Sequence, residues 1–222
     1  MKENMRRCGQ DRVTRRSFLV AGAAVGAGWA PALAADDPVI EFARESCGDE
    51  AARLRVLVAY ASLCGATGEI AAAIGKKLCE AHLRVDVRHL PEVTDLDGYE
   101  AFVIGSPIHA GTWMAEAMRF LCKRQDALAK APVAYFIDCM ALSSDKEESR
   151  QLARGYVERP LKLAPKIKPV ALGMFAGKVD YAKMPERYHA IMRRIVPQDA
   201  DARNWEAIGK WGEELAGQLT GR

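Results

Sequence analysis

The chain alternates between short runs of apolar, often β-branched residues and longer segments with apolar residues at helical spacing. Four runs have the length of buried strands: Leu54–Tyr60, Ala101–Gly105, Pro132–Ile137 and Pro169–Phe175. A fifth run, Leu83–Leu90, alternates apolar and polar residues. This period predicts an edge strand with one face in water, and His89 is expected on that face.

Helices are predicted between and after these strands. Segments with helical spacing begin at Glu69 and cover Met114–Ala129, Asp145–Val157, Glu186–Val196 and Ala202–Leu219. Strands that alternate with helices predict a doubly wound α/β fold with a parallel sheet. In such a sheet, ligands bind beyond the carboxyl ends of the strands.

The loop after the first strand is made of small and hydroxyl-bearing residues: Ser62, Leu63, Cys64, Gly65, Ala66 and Thr67. A strand, such a loop and a helix form a phosphate site, because the first N–H groups of a helix are unpaired and its dipole favours an anion. The loop has neither the lysine of a nucleoside-triphosphate site nor a GxGxxG pattern. It therefore suits a monophosphate such as that of FMN. The alternative is an ordinary turn with a Ser/Thr cap.

Two more loops of small residues follow predicted strands, at Ser106–Trp113 and Asp138–Met140. Parallel strands end at the same edge of a sheet, so we expect all three loops to meet there. Together they predict one ligand site.

The first 34 residues have the features of an export signal. Thr14–Leu19 holds a twin-arginine pair, Val20–Ala30 is apolar, and Pro31–Ala34 offers an A-x-A cleavage site. The apolar run is shorter than the roughly 20 residues that a transmembrane helix needs. We expect cleavage after Ala34 and export to the periplasm by the twin-arginine machinery, with a retained N-terminal anchor as the alternative. Residues 35–53 are then a tether, and residues 54–220 form the domain.

The leader changes the charge of the protein. It carries six of the 32 basic and two of the 29 acidic residues, so its removal changes the formal net charge from +3 to −1. The basic character of the whole chain is therefore no indication of nucleic-acid binding.

Five cysteines follow the leader: Cys47, Cys64, Cys79, Cys122 and Cys139. They form no CxxC pair, and no His/Cys cluster has the spacing of metal ligands, so no metal site is predicted. We interpret them mainly as buried thiols, with disulfides as the alternative.

The loops resemble those of the flavodoxin-like FMN-binding proteins. Ser62–Thr67 matches the pattern (T/S)-x-T-G-x-T except at Cys64, and Gly105–Gly111 is similar to the G-S-x-I-Y-x-G loop beside the isoalloxazine ring. Further matches are Phe175–Tyr181 and Asp201–Trp205. The resemblance covers about residues 54–219, and it is strongest to the group that includes menaquinone-dependent protoporphyrinogen dehydrogenase.

This resemblance implies a five-stranded parallel sheet of order 2-1-3-4-5 with helices on both faces, and FMN as cofactor. The first loop would bind the phosphate. The residues expected near the rest of the FMN are Pro107, Ile108, His109, Ala110, Gly111, Thr112, Asp138 and Cys139. An FMN-dependent oxidoreductase with a quinone or a redox protein as partner is the function that it implies.

Three side chains have competing interpretations. His109 is the candidate catalytic residue, as a stacking or proton-donating group, but only the backbone of its loop could matter. Trp113 could shield one face of the ring or belong to the core. Cys139 could be a redox partner or an inert thiol.

The alternative function is an electron carrier without its own substrate. Short-chain flavodoxins are strongly acidic, which steers them to basic partners, whereas this chain without its leader is almost neutral. Against an enzyme of the protoporphyrinogen type, export separates the protein from cytoplasmic haem synthesis, and Tyr181–Arg194 is not apolar enough for a membrane-docking helix. A flavin-free binding module is a third possibility.

Overall fold

The computed structural model describes residues 37–52 and 54–221. The predicted signal sequence and its cleavage site fall at residues 1–34, outside the described part of the chain. Within that part, no helix is both long and apolar enough to cross a bilayer.

Most of the strands belong to one sheet. Its members are β1 (Glu45–Cys47), β2 (Arg55–Tyr60), β3 (Arg84–His89), β4 (Ala101–His109), β5 (Thr112–Trp113), β6 (Val133–Cys139) and β7 (Ala171–Ala176). Their order is β1-β3-β2-β4-β6-β7, and β5 pairs with β4. The five parallel strands thus have the predicted order 2-1-3-4-5. A separate antiparallel pair joins β8 (Lys178–Val179) to β9 (Ala200–Asp201).

Helices cover both faces of the sheet. They are α1 (Ala66–Glu80), α2 (Ala115–Leu128), α3 (Glu147–Leu163), α4 (His189–Met192) and α5 (Trp205–Thr220). One core cluster joins Val56 and Val58 of β2 to α1 and α5, and the other joins Leu57 to α2 and α3. Because side chains alternate along a strand, the continuous apolar run of β2 supplies both layers.

The prediction that Leu83–Leu90 is an edge strand was wrong. β1 pairs antiparallel with β3, so β3 lies one place inside the edge. His89 is buried rather than solvent-facing, and its ring stacks on Phe42 with centroids 3.8 Å apart. The polar residues that produced the alternation are instead paired. Burial alone would raise the pKa of Asp86, but hydrogen bonds from Ser46, Arg55 and Tyr99 hold it below its usual range.

The segment before β2 is not a free tether over its described residues. It contains β1, and the hydroxyl of Tyr60 donates a hydrogen bond to the carbonyl of Ala43 at 2.8 Å. A disulfide joins Cys47 to Cys79 near the end of α1. These two cysteines are therefore not buried thiols, whereas Cys64 and Cys139 are free thiols.

Two other predicted elements differ in shape. The predicted helix Glu186–Val196 is a short 3₁₀ turn at Glu186–Tyr188 followed by the four-residue α4. These turns place Tyr188, Met192 and Val196 against a small apolar cluster around Tyr181. The predicted loop Ser106–Trp113 is a β-hairpin, in which β4 continues to His109 and β5 returns beside it.

Candidate functional site

A cavity of about 400 Å³ lies at the carboxyl ends of β2, β4 and β6, where the sequence predicted a ligand site. Its volume is within the range of small-molecule and cofactor sites. Most of the predicted site residues line it: Ser62, Leu63, Cys64, Ala66, Thr67, Pro107, Ile108, His109, Ala110, Asp138 and Cys139. Gly65, Gly111 and Thr112 are not part of its lining and instead shape the loops that form it.

The first loop, residues 62–67, is closed by its own side chain. The Gly65 N–H donates a hydrogen bond to the hydroxyl oxygen of Ser62 at 2.9 Å. Gly65 itself is the N-cap of α1, with φ at 87°, a left-handed conformation that favours glycine. Because the N-cap residue is glycine, no side chain of its own caps α1, and the Ser62 hydroxyl binds the N–H of Gly65 instead.

The start of α1 can receive an anion. α1 begins at Ala66, and the first N–H groups of a helix have no acceptor within the helix. Ser62 and Thr67 are both buried at the loop, and both line the cavity. The helix dipole adds a partial positive charge at this end. Backbone donors, rather than a charged clamp, are therefore the means by which this loop can bind a phosphate.

Arg203, in the segment before α5, connects that segment to the N-terminal end of α1. Its guanidinium Nη1 lies 2.7 Å from a carboxylate oxygen of Glu69 in the first turn of α1, and its Nη2 pairs with Asp201. The side chain is almost completely buried. Its charge is therefore largely balanced by two carboxylates, and its main effect is to fix the position of α1.

The hairpin β4–β5 forms a second wall. Its turn residues Ala110 and Gly111 have φ values of 51° and 76°, as in the two-residue turns that match the twist of antiparallel strands. Ser106 holds its base, because the hydroxyl accepts a hydrogen bond from the Met114 N–H at 2.9 Å.

The two aromatic residues of the hairpin have different surroundings. His109 is exposed at the rim of the cavity, where its ring packs edge-on against Tyr188 with centroids 5.3 Å apart. Trp113 is fully buried against Tyr135, so it belongs to the core and does not shield a ligand.

The end of β6 places two titratable groups in the cavity. Burial raises the pKa of Asp138 to about 6, although a hydrogen bond from Thr67 and the charge of Arg203 act in the opposite direction. Burial also raises the pKa of the Cys139 thiol. The pKa of Cys64 is raised to about 11, by burial first and by Asp180 second. Both thiols are therefore protonated near neutral pH, and neither is an activated nucleophile.

Sequence reasoning missed one side of the cavity. Met184, Tyr188, Ile191, Met192 and Ile195, which we call the apolar wall, all line it. The sequence predicted a helix over Glu186–Val196 but gave it no part in the ligand site, although most of these side chains recur at a spacing of three or four residues. Ile191 and Ile195 are 63% and 68% exposed, so this wall also presents apolar surface to solvent.

Comparison with known proteins gives one family match. A model described as the flavodoxin domain matches residues 57–204, more than half of the chain. No curated protein sequence matches.

Several solved structures are similar at low sequence identity. A flavodoxin from the domain Archaea has 16% identity and a TM-score of 0.46, over 75% of this chain and 99% of that chain. The two-electron reduced flavodoxin of Megasphaera elsdenii has 15% identity and a TM-score of 0.47, over 72% and 98%. A flavoprotein from Lactobacillus acidophilus NCFM in complex with FMN has 14% identity and a TM-score of 0.41, over 55% and 93%.

Proposed function

We propose a function from one premise: the chain belongs to the flavodoxin-domain family. It binds one FMN non-covalently and acts as an FMN-dependent oxidoreductase. The observation that carries this proposal is that the first loop, the hairpin and the end of β6 border the same cavity. Each of them alone is an ordinary loop, but together they offer an anion site, polar groups and an apolar space in one place.

The residues present fit FMN. The N–H groups at the start of α1, with the hydroxyls of Ser62 and Thr67, would hold the phosphate. Cys64 stands where the family pattern has a threonine, so one hydroxyl contact is replaced by backbone donors. The hairpin, Cys139 and the apolar wall would enclose the isoalloxazine ring. When bound, FMN supplies one- and two-electron redox chemistry, and the protein supplies orientation, exclusion of water and local electrostatics.

The partner that we propose is an apolar electron acceptor of the quinone class, by resemblance to the quinone-dependent protoporphyrinogen dehydrogenases. Two observations support it. The apolar wall borders the same cavity as the proposed flavin site, and its Ile191 and Ile195 are exposed. The leaderless chain also lacks the acidic surplus that steers electron carriers to basic partners.

We also propose that the protein is exported to the periplasm by the twin-arginine machinery. The motif at Thr14–Leu19 supports this proposal. So does the Cys47–Cys79 disulfide, because such bonds persist mainly in oxidising compartments. Replacing Arg15 and Arg16 by lysine should keep the precursor in the cytoplasm, and normal export of that variant would overturn the assignment.

Reoxidation kinetics test the function. The protein is loaded with FMN, reduced under anaerobic conditions and mixed with a water-soluble menaquinone analogue. Rapid reoxidation that saturates with quinone concentration is the expected result. The alternative is a flavodoxin-type carrier with a redox-protein partner. It would be supported if the quinone reacted slowly and without saturation while a redox protein reoxidised the flavin rapidly.

A further inference from the structure

Asp138 occupies a special position in the cavity because of the alternation of side chains along β6. Phe136 belongs to the core cluster beneath α1 and α5, whereas Ile137 and Cys139 belong to the opposite cluster. Asp138 therefore extends toward α1, and there the hydroxyl of Thr67 hydrogen-bonds to it. The carboxyl group thus shares Thr67 with the proposed phosphate site.

This carboxyl group is buried and incompletely paired. Asp138 is 5% exposed, and its Oδ1 has no hydrogen-bond partner among the described residues. An unpaired polar atom in a buried place carries a free-energy cost that a partner would remove. Asp138 also lines the cavity, so a ligand bound there would lie beside this carboxyl group.

The groups around Asp138 do not neutralise it. Thr67 of α1 hydrogen-bonds to Asp138, and Arg203, in the segment before α5, interacts with it through its positive charge. Arg203 already pairs with Glu69 and Asp201. The Cys139 thiol is the neighbour on its own strand. Its partners on the neighbouring strands, Pro107 and Phe175, and the nearby Gly177 carry no titratable group. Lys178, which follows Gly177, pairs with Asp180 at 3.2 Å. Lys178 and His109 are other titratable groups of the cavity lining near the strand ends.

A phosphate bound at the first loop would bring a second anion close to this carboxylate. Both groups would depend on Thr67, and two like charges in a poorly solvated place disfavour each other. One of the charges must then be lost or strongly screened. Asp138 is the group that one proton can neutralise, because burial has already raised its pKa to about 6. A phosphate that takes up one proton still keeps a negative charge.

We propose that Asp138 takes up one proton when an organic phosphate binds at the first loop, so that FMN binding is coupled to proton uptake. The inference rests on the proposed FMN function. The proton comes from the solvent, the carboxylate becomes a carboxylic acid, and no other bond forms or breaks. The acid can then donate a hydrogen bond from Oδ1, the oxygen that has no partner among the described residues.

The coupling determines the sign of the pH dependence. Without ligand, Asp138 is ionised above its pKa of about 6. With ligand, its pKa is higher. Between the two values, FMN affinity falls as the pH rises, by up to about tenfold per pH unit. The phosphate of FMN itself titrates near pH 6, so the informative range lies above about pH 7.

Calorimetry in two buffers measures the proton directly. FMN is titrated into the protein at pH 7.5, once in phosphate-free Tris and once in HEPES, whose ionisation enthalpies differ. We expect the wild-type protein to take up between about one half and one proton per FMN bound. Asp138→Asn should take up close to none and should bind FMN with an affinity that varies little above pH 7.

Asp180→Asn is the matched control, because Asp180 is a carboxylate near the first loop that pairs with Lys178 at 3.2 Å. It should take up the same number of protons as the wild type. Asp138→Ser provides a second test if the asparagine variant does not fold.

The outcomes separate the two proposals. FMN binding without proton uptake by the wild-type protein overturns this inference and leaves the proposed function intact. Equal proton uptake by the wild type and the Asp138 variants also overturns it, because another group then takes the proton. If FMN does not bind to the wild-type protein at all, the proposed function fails and the inference fails with it.

Discussion

The first loop and the apolar wall border one cavity, but different forces hold them in place. The first loop joins a buried strand to α1, is closed by the Ser62 hydroxyl and is fixed through Glu69 to the buried Arg203. The apolar wall follows β8 and depends on a few contacts, such as the hydrogen bond from the Tyr181 hydroxyl to the carbonyl of Val196 at 2.6 Å.

This difference separates two tasks. A loop anchored in the core keeps its N–H groups in place and can select an anion without reorganising. A segment of short turns that packs on a small apolar cluster and exposes two isoleucines can adapt to a partner more easily than a loop between a buried strand and a helix. We therefore expect substitutions in the core that supports the first loop to affect stability and FMN binding. Substitutions in the apolar wall should affect the reaction with the electron acceptor.

The largest effect is expected at Gly105, which lies in β4 next to the cavity. A Cβ atom added there would lie 1.9 Å from Cζ of Phe136, in the core beneath α1. Gly105→Ala should therefore lower the free energy of unfolding by about 1–3 kcal/mol through overpacking. Denaturant unfolding measures it.

Gly155→Ala is the control for Gly105→Ala. Gly155 lies inside α3, and a Cβ there meets nothing within 4 Å. The control should stabilise the protein by about 0.5–1 kcal/mol, since alanine favours the helix. Equal changes in the free energy of unfolding for the two variants would mean that the core around Gly105 and Phe136 is not tightly packed.

Replacing both exposed isoleucines by serine tests whether the apolar wall is the docking surface for the quinone. The double change of Ile191 and Ile195 to serine should leave the free energy of unfolding within about 0.5 kcal/mol of the wild type, because both side chains are largely in solvent. Reoxidation of the reduced flavin by a menaquinone analogue should slow by about tenfold, as expected for about 1–2 kcal/mol of lost apolar contact.

Leu152→Ser is the matched control for the wall. Leu152 is 52% exposed on α3 and does not line the cavity. It should react with the quinone at the wild-type rate. If the control slows as much as the double variant, the wall is not the docking surface.

The smallest effect is expected at His109. His109→Phe keeps a ring against Tyr188 but removes the titratable nitrogen atoms. FMN affinity should change by less than about threefold, since no hydrogen bond to the phosphate is lost. Measured between about pH 5 and 8, the flavin midpoint potential should lose a part of its pH dependence, because a phenylalanine ring can neither take up nor release a proton.

Potentiometric titration of both proteins over that range decides the role of His109. Parallel curves would mean that His109 only shapes the hairpin and that backbone groups tune the flavin.

The fold could be predicted because its signals are local. Short stretches determine their own conformation within a few residues. Examples are the apolar runs at Val56–Tyr60 and Val133–Ile137 and the glycine of the first loop. The parallel order followed from the resemblance, and the three loops meet because parallel strands end at one edge.

The rest depends on contacts between distant residues. Neither the pairing of Cys47 with Cys79 nor the addition of β1 beside β3 can be predicted from spacing. His89 has the pattern of a solvent-facing residue, and the sequence does not show that Phe42, which precedes β1, stacks on it. The unpaired oxygen of Asp138 likewise cannot be predicted from the sequence, because it depends on how α1 packs on β6.

The central claim is that FMN binds with its phosphate at the first loop, and an FMN titration of two glycine variants tests it most directly. Gly65→Val places a branched side chain at a φ of 87°, where such residues are strained. Gly155→Val is the control in α3. By fluorescence quenching, the wild-type protein and the control should bind one FMN with similar affinity, and Gly65→Val should bind at least about tenfold more weakly, a loss of about 1.4 kcal/mol. Unchanged FMN affinity in a folded Gly65→Val protein would contradict the account, because the phosphate would then bind elsewhere.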